Sequence, residues 1–359
     1  MTGSEFHPDW VSPPGDTIAD VLRRRNLSVL ELCERLGYTF SEAQSLLGGS
    51  ISISRPLAGK LAEVLGGSPE FWIQRDSLYR KARASYKPEV NEEEKDWLST
   101  LPLQEMVKRG WIPADKDVKN TFFACLRFFD VPTVHSWSNK YSDIFAGVDY
   151  KRSLVHKSDL GTTAAWLRKG ESEAASVVCK KWDLRGFEDS LEKIRRLTCA
   201  RDPLKSLPEL QSICAQNGVA VVVLKAPPRC AVNGATYFLS ESKALLLLSG
   251  RYLYDDHFWF SFFHEAGHLI LHGPKSCFIE EENPEQLTRE DEANAFAASR
   301  LIPPEHLSEM LQLPLDGRAV IRFARKLGVA PGIVVGQLQH HGKIGRAALN
   351  NLKAKITWS

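Results

Sequence analysis

The sequence has no C-x-x-C pair, no long apolar run and almost no net charge, and each absence excludes something. Its seven cysteines are scattered at positions 33, 125, 179, 199, 214, 230 and 277. An odd set without close pairs argues against a disulfide framework and for reduced thiols, as in a cytoplasm. The opening Met-Thr-Gly-Ser-Glu-Phe has no signal-peptide character, and no stretch approaches the roughly 20 apolar residues that a membrane-spanning helix needs. A cytoplasmic location and no membrane partner are therefore expected. A net charge of +2 supplies no overall pull toward nucleic acid. What remains is an ordinary globular composition, 43% hydrophobic and 25% charged, over 359 residues, enough for two or three domains.

The stretch that carries chemistry is His264-Glu265-Ala266-Gly267-His268, an H-E-x-x-H pattern. Two histidines four apart on a helix lie on one face, one turn apart, so both imidazoles can reach one metal ion. Glu265 between them is placed to take a proton from a water that the metal activates. Asp255 and Asp256 are suited to start the helix, and His257 to Phe263 lead in without a break.

A catalytic zinc takes three protein ligands and keeps one open position. His272 lies one turn beyond His268, about 6 Å further along the axis, and is out of reach of a metal held by the first two histidines. Six residues past His268 stands Pro274, so the long pattern with a third histidine also fails. The helix expected over Leu287–Leu301 offers three acids. Thr288 and Asp291 read as its capping box, and Pro303 follows its end. Glu290, Ala293, Asn294, Ala297 and Leu301 share one face, and Glu290 is its only charge. A carboxylate on a small, apolar face is costly unless it is paired or binds metal. Glu290 is thus the expected third ligand, with Glu292, roughly 200° around the helix, as the alternative. Asn294, one turn past Glu290, is suited to orient a histidine from behind the metal.

The run from Ala244-Leu245-Leu246-Leu247-Leu248-Ser249 through Asp256 to Gly273, followed by Glu290-x-x-Ala293-Asn294-x-Phe296-Ala297 and Leu301-Ile302-Pro303, resembles the ImmA/IrrE family of zinc metallopeptidases over roughly residues 215–310. The resemblance implies zinc held by His264, His268 and Glu290, with Glu265 as the base. Pro228-Arg229-Cys230-Ala231-Val232-Asn233-Gly234 is similar to the inhibitory cysteine segment of matrix metalloproteinases, but departs from it at several positions; a free thiol in a loop is the plainer expectation. Tyr237 and His257 are candidates to stabilise an oxyanion. Cys277 would be the nearest fourth ligand if the zinc were structural.

Further upstream the pattern is helical. Asp16–Arg25, Val29–Leu36 behind Ser28, Glu42–Leu47 behind Ser41, Ser54–Gly66 and a helix opening at Pro69 succeed one another with glycine-bearing turns. A helix, a glycine-bearing turn and a short second helix form the helix-turn-helix pattern. The order of elements and the run Gly66-Gly67-Ser68-Pro69-Glu70-Phe71-Trp72 resemble the HigA-like antitoxin branch of the XRE family, which implies dimeric binding to operator DNA. Gln44 and Ser45 are the candidates to read base edges, and Arg55 and Lys60 to touch phosphate. Against this, Glu42–Leu47 holds no Lys or Arg, and residues 1–90 hold as many acids as bases, where DNA-binding domains show a basic face.

Ser85–Asp96 reads as a polar linker or helix start. Trp97–Val107, Thr121–Phe129, Thr162–Arg168, Ala174–Trp182 and Phe187–Leu197 read as helices. Strands are expected at Gly218–Leu224, Ala235–Leu239 and Ala244–Leu248, and further helices at Ala319–Leu327 and from Pro331, with the adjacent His340 and His341 at the surface.

The expected architecture is α+β and mostly helical. A helix-turn-helix bundle at 14–84 precedes a helical middle module at 97–205. A zincin-like peptidase domain with a small sheet and the H-E-x-x-H helix spans 206–310, and a helical segment fills 311–359. The leading reading is a bacterial zinc endopeptidase coupled to a regulatory head, whose resemblance implies a homodimer. Its implied substrate is a repressor or toxin encoded nearby, in a stress, mobile-element or phage-defence circuit. The competing reading is an antitoxin-like DNA-binding repressor whose zinc site is structural or weakly active.

Overall fold

A computed structural model describes residues 12–356 except 26, 28, 86–89, 146–156, 201–202, 231, 251–253, 274–277 and 280–283. Among the described residues the chain is mostly helical with one small mixed sheet, and it divides into two compact units, 1–143 and 144–359. The division falls inside the stretch 97–205.

The first unit holds α1 (Pro14–Arg25), α2 (Val29–Leu36), α3 (Phe40–Leu47), α4 (Arg55–Leu65), α5 (Pro69–Ser85), α6 (Glu92–Thr100), α7 (Leu103–Lys108), α8 (Val118–Phe129) and α9 (Val134–Phe145). Ile18, Leu32, Leu36, Leu46, Leu61 and Trp72 are buried in one cluster that draws α1 to α5 together. Gly66, at φ +79°, ends α4 and presents its carbonyl to Nε1 of Trp72 at 3.0 Å. The sequence places the α3 cap at Ser41, but the helix starts at Phe40. Thr39 Oγ1 accepts from the Glu42 N–H, while the Glu42 carboxylate accepts from the Thr39 N–H at 2.8 Å. This reciprocal pair is a capping box. The stretch Trp97–Val107 is likewise two helices, broken at Leu101–Pro102. Leu101 is extended (ψ 148°), as the residue before a proline is biased to be.

The second unit holds α10 (Lys157–Ala175), α11 (Leu184–Leu197), α12 (Pro203–Ala215), β1 (Val219–Val223), β2 (Gly234–Ser240), β3 (Lys243–Leu248), α13 (Asp255–His272), β4 (Phe278–Ile279), α14 (Pro284–Leu301), α15 (Pro304–Leu311), α16 (Gly317–Leu327) and α17 (Pro331–His340). The sheet order is β1-β3-β2-β4. β1 runs parallel to β3 and the other pairs are antiparallel. Alternation along the strands separates two faces. Val219, Val221, Ala244, Leu246 and Leu248 pack with α13, whereas Ala220, Val222, Leu245 and Leu247 pack with Trp166 and Leu167 of α10. The expected helix Ala174–Trp182 ends at Ala175. The backbone beyond it turns at Ser176–Val177 and then runs without regular structure, with the Lys180 N–H on the Ala215 carbonyl at 2.9 Å and the Trp182 N–H on the Ser242 carbonyl at 2.8 Å. Among the described residues no helix is long and apolar enough to cross a membrane.

Candidate metal centre

α13 is helical because its apolar residues recur at helical spacing and find a sheet to cover. Phe258, Trp259, Phe262, Phe263, Ala266 and Leu269 are all buried. This sets the direction of the remaining positions and leaves His264, Glu265 and His268 buried as well, at 4%, 3% and 1% exposure. Such burial of polar groups needs a compensating partner.

That partner comes from α14, which crosses α13 at close range. A Cβ on Gly267 would stand 3.1 Å from Cδ1 of Phe296 and 3.4 Å from Cα of Ala293, so the glycine permits the approach. Ala293, Ala297 and Leu301 line the contact, fully or almost fully buried. Glu290, on the same face, is carried into the site. Its Oε2 lies 3.1 Å from Nε2 of His264 and its Oε1 3.2 Å from Nε2 of His268. The two Nε2 atoms are 3.1 Å apart. Nδ1 of His264 is 3.0 Å from Oδ1 of Asn294. An amide oxygen only accepts, so Nδ1 carries the proton and Nε2 keeps its lone pair.

These donor atoms fit a metal ion. Two imidazole nitrogens and a carboxylate converge within 4.8 Å of one another. Tetrahedral zinc with bonds of about 2.05 Å separates its ligand atoms by about 3.3 Å. The observed separations of 3.1 to 3.2 Å are close to that. Burial pushes the Glu290 carboxyl up, but hydrogen bonds and charge from His264 and His268 in their protonated forms, as when no metal is bound, more than offset it and hold it at about 2. Burial also pushes His268 down. Both groups thus favour the protonation states in which they donate electron pairs.

The alternatives separate in space. Glu292 is half-exposed and faces His272, 3.7 Å from its Nδ1, rather than the three converging groups. Tyr237 sits on the α10 face of the sheet, opposite α13, and its hydroxyl donates to Oε1 of Glu171 at 3.0 Å. The oxyanion role considered for it is therefore corrected: strand alternation turns it away from Glu265. His257 is in the first turn of α13, half-exposed and 3.8 Å from Asp256. Cys230 is buried in the cluster against α10, its Sγ 3.9 Å from Oγ1 of Thr163, so the inhibitory-cysteine similarity has no geometric counterpart. Cys277 lies outside the described residues. His340 and His341 end α17, both exposed. Thr288 is inside α14, which begins at Pro284, so the expected capping box is not at the helix start.

In the first unit, Arg55 is exposed and Ser45 half-buried. Lys60 donates from Nζ to the Leu36 carbonyl at 2.8 Å, closing the end of α2. The Gln44 side chain lies outside what is described.

Two features near the site escaped the sequence reading. Gly234, at the start of β2, faces Glu265 so closely that a Cβ there would overlap the carboxylate. The N-cap residue of α13 is Tyr254; Asp255 lies inside the first turn, where its Oδ1 accepts from the Asp256 N–H at 3.0 Å. Oδ1 of Asp255 accepts from the Ala354 N–H at 2.9 Å, and Asp256 forms a buried ion pair with Lys353. Two adjacent acids on an apolar helix were the available hint, since buried charge implies a cation elsewhere.

A family model, Peptidase_M78, described as an IrrE N-terminal-like domain, matches residues 220–338, which include every residue of the converging set. Over 78 residues the chain is 31% identical to a protein of Escherichia coli (strain K12) named "Uncharacterized HTH-type transcriptional regulator YddM". That match covers 22% of this chain and 83% of the other. No solved structure matches.

Proposed function

The chain carries an ImmA/IrrE-type domain at 220–338, and we propose that it is a zinc-dependent endopeptidase acting on a regulatory protein, with an N-terminal helix-turn-helix domain of the XRE/HigA type. The observation that carries this reading is the convergence of His264, His268 and Glu290 from two separate helices around one small volume. These three would hold the ion. Zinc, when bound, supplies a Lewis acid that polarises the scissile carbonyl and makes water a stronger acid. Glu265, held against Gly234, takes the proton from the attacking water and delivers it to the departing amine. Asn294 keeps His264 in the tautomer that presents Nε2 outward.

Residues 14–84 would form the regulatory head, 97–205 a middle module, 206–310 the peptidase and 311–359 its helical completion. The named relative favours DNA as a partner of the head. Arg55 is the side chain best exposed for phosphate, with Lys60 less free because its ammonium closes α2. A cytoplasmic homodimer that cuts a nearby-encoded repressor or toxin is the circuit this combination suits.

The test is zinc content of the purified full chain, with folding followed by circular dichroism. About one zinc per chain is expected in the wild type and in Glu292→Ala, and none in Glu290→Ala. Metal-free wild type after zinc loading overturns the reading. Labelling of new protein N-termini in an extract of the source cells then separates enzyme from repressor. Termini that appear with wild type and not with Glu265→Gln establish proteolysis. An output that persists in Glu265→Gln and follows DNA binding alone supports the repressor with a structural zinc.

A further inference from the structure

In the first unit, α6, α7 and α8 leave between them a cleft of about 760 Å³, open to solvent on one side. The volume lies in the range of small-molecule sites, roughly 300–1,000 Å³. Its walls are apolar: Leu98 from α6, Leu103 and Val107 from α7, and Val118 at the start of α8. Val118 remains 50% exposed.

The rim is cationic. Lys95, Lys108 and Lys116 all border the cleft, and Asp115 is the only acid that does so among the described residues. Asp115 is turned into its own loop, where Oδ1 accepts from the Asp117 N–H at 2.8 Å and Oδ2 from the Asn120 side chain at 2.9 Å. Lys108 has a long contact of 3.8 Å with Glu105 and is 78% exposed. Lys95 is paired more tightly, with Glu92 at 2.7 Å. Lysine stems extend the apolar wall while their ammonium groups stay at the mouth.

We propose that this cleft binds a single-chain anionic amphiphile, a long-chain carboxylate being the simplest, with the alkyl chain against Leu98, Leu103, Val107 and Val118 and the head at Lys108 and Lys116. A polar ligand gains nothing from these walls, and a cationic one is repelled at the rim. Three helices and the 114–116 loop line the cleft, and its volume suits a compact ligand. The cleft lies in sequence between the helix-turn-helix residues and the peptidase residues, and it shares no residue with the metal centre.

The experiment is calorimetric titration of the zinc-loaded full chain below micellar concentrations, with sodium laurate, dodecyltrimethylammonium and sodium decanoate as probes. Laurate is expected to bind at least about tenfold tighter than the cation of equal chain length. Each added methylene from decanoate to laurate is expected to tighten binding about fourfold. Val118→Glu, a surface change that leaves fold and zinc content intact, is expected to abolish laurate binding. Lys108→Glu with Lys116→Glu is expected to erase the preference for the anion while leaving the alkyl contribution. No laurate binding, equal affinity for anion and cation in the wild type, or laurate binding unchanged in Val118→Glu would each overturn the proposal.

Discussion

Gly234 is packed against Glu265 so closely that a methyl group on its Cα would overlap the carboxylate oxygen Oε1. The glycine is at the first position of β2, and Glu265 is on the helix that covers this sheet. Gly234→Ala should therefore displace Glu265 while leaving His264, His268 and Glu290 in place. Displacement of a reacting group by about 1 Å costs on the order of 100-fold in rate. The expected result is that loss in peptide-bond cleavage with normal zinc content. A Gly234→Ala protein that cleaves at the wild-type rate would show that the base does not depend on this contact.

Asn294 holds Nδ1 of His264 from outside the metal set. Asn294→Ala should weaken zinc binding about 10- to 100-fold, because the imidazole loses the partner that fixes its tautomer. Asn294→Asp, which keeps an acceptor in place, should retain most of the affinity. Competition against a chromogenic chelator measures both, and equal affinities for all three proteins would remove Asn294 from the site.

Lys353 and Asp256 form an ion pair with both side chains more than nine-tenths buried, and Nζ of Lys353 also donates to Gln339 at 2.8 Å. Truncating one member of such a pair leaves an unpaired buried charge and costs about 3–5 kcal/mol. Lys353→Met should show that loss in urea unfolding, whereas Lys355→Met, at an exposed position, should stay within about 0.5 kcal/mol of wild type. Pairing Lys353→Met with Asp256→Asn should recover part of the loss.

Burial, reinforced by the neighbouring Asp256 charge, pushes the Asp255 carboxyl up to about 6. The native chain then holds this proton more tightly than the unfolded chain, whose aspartates titrate near pH 4. Between those values the native state binds more protons, so this group's contribution to stability falls as pH rises, by about 2–3 kcal/mol in all. Asp255→Asn lacks that loss. Unfolding free energies at pH 4, 5 and 6.5 should show the variant gaining on wild type as pH increases. A difference that stays constant over this range would contradict the assignment.

The residues that converge on the candidate metal position were legible because helical phase is local. His264 and His268 are one turn apart, and Glu290 was the single charge on a face of Ala293, Ala297 and Leu301, which the fold buries. Nothing local marks Gly234, because its role depends on which sheet face α13 covers. The same ignorance left Tyr237 open as a candidate, although alternation had already fixed it opposite Thr236, a residue buried at 0% exposure. Lys353 belonged to a basic tail without evident purpose; its meaning required a partner 97 positions away. Turn chemistry misled at Ser41, where Thr39 and Glu42 complete a better cap, and at Thr288, where Pro284 starts the helix a turn earlier.

The ties from Lys353 and Ala354 to Asp256 and Asp255 also set an order of events during synthesis. At a ribosome's pace of about 5–20 residues per second, the 97 positions between Asp256 and Lys353 take about 5–20 s to make. Through that interval the start of the H-E-x-x-H helix carries two acids whose counter-charge has yet to be made. A nascent chain therefore holds its candidate metal-binding residues before it holds the brace that seats the helix carrying two of them.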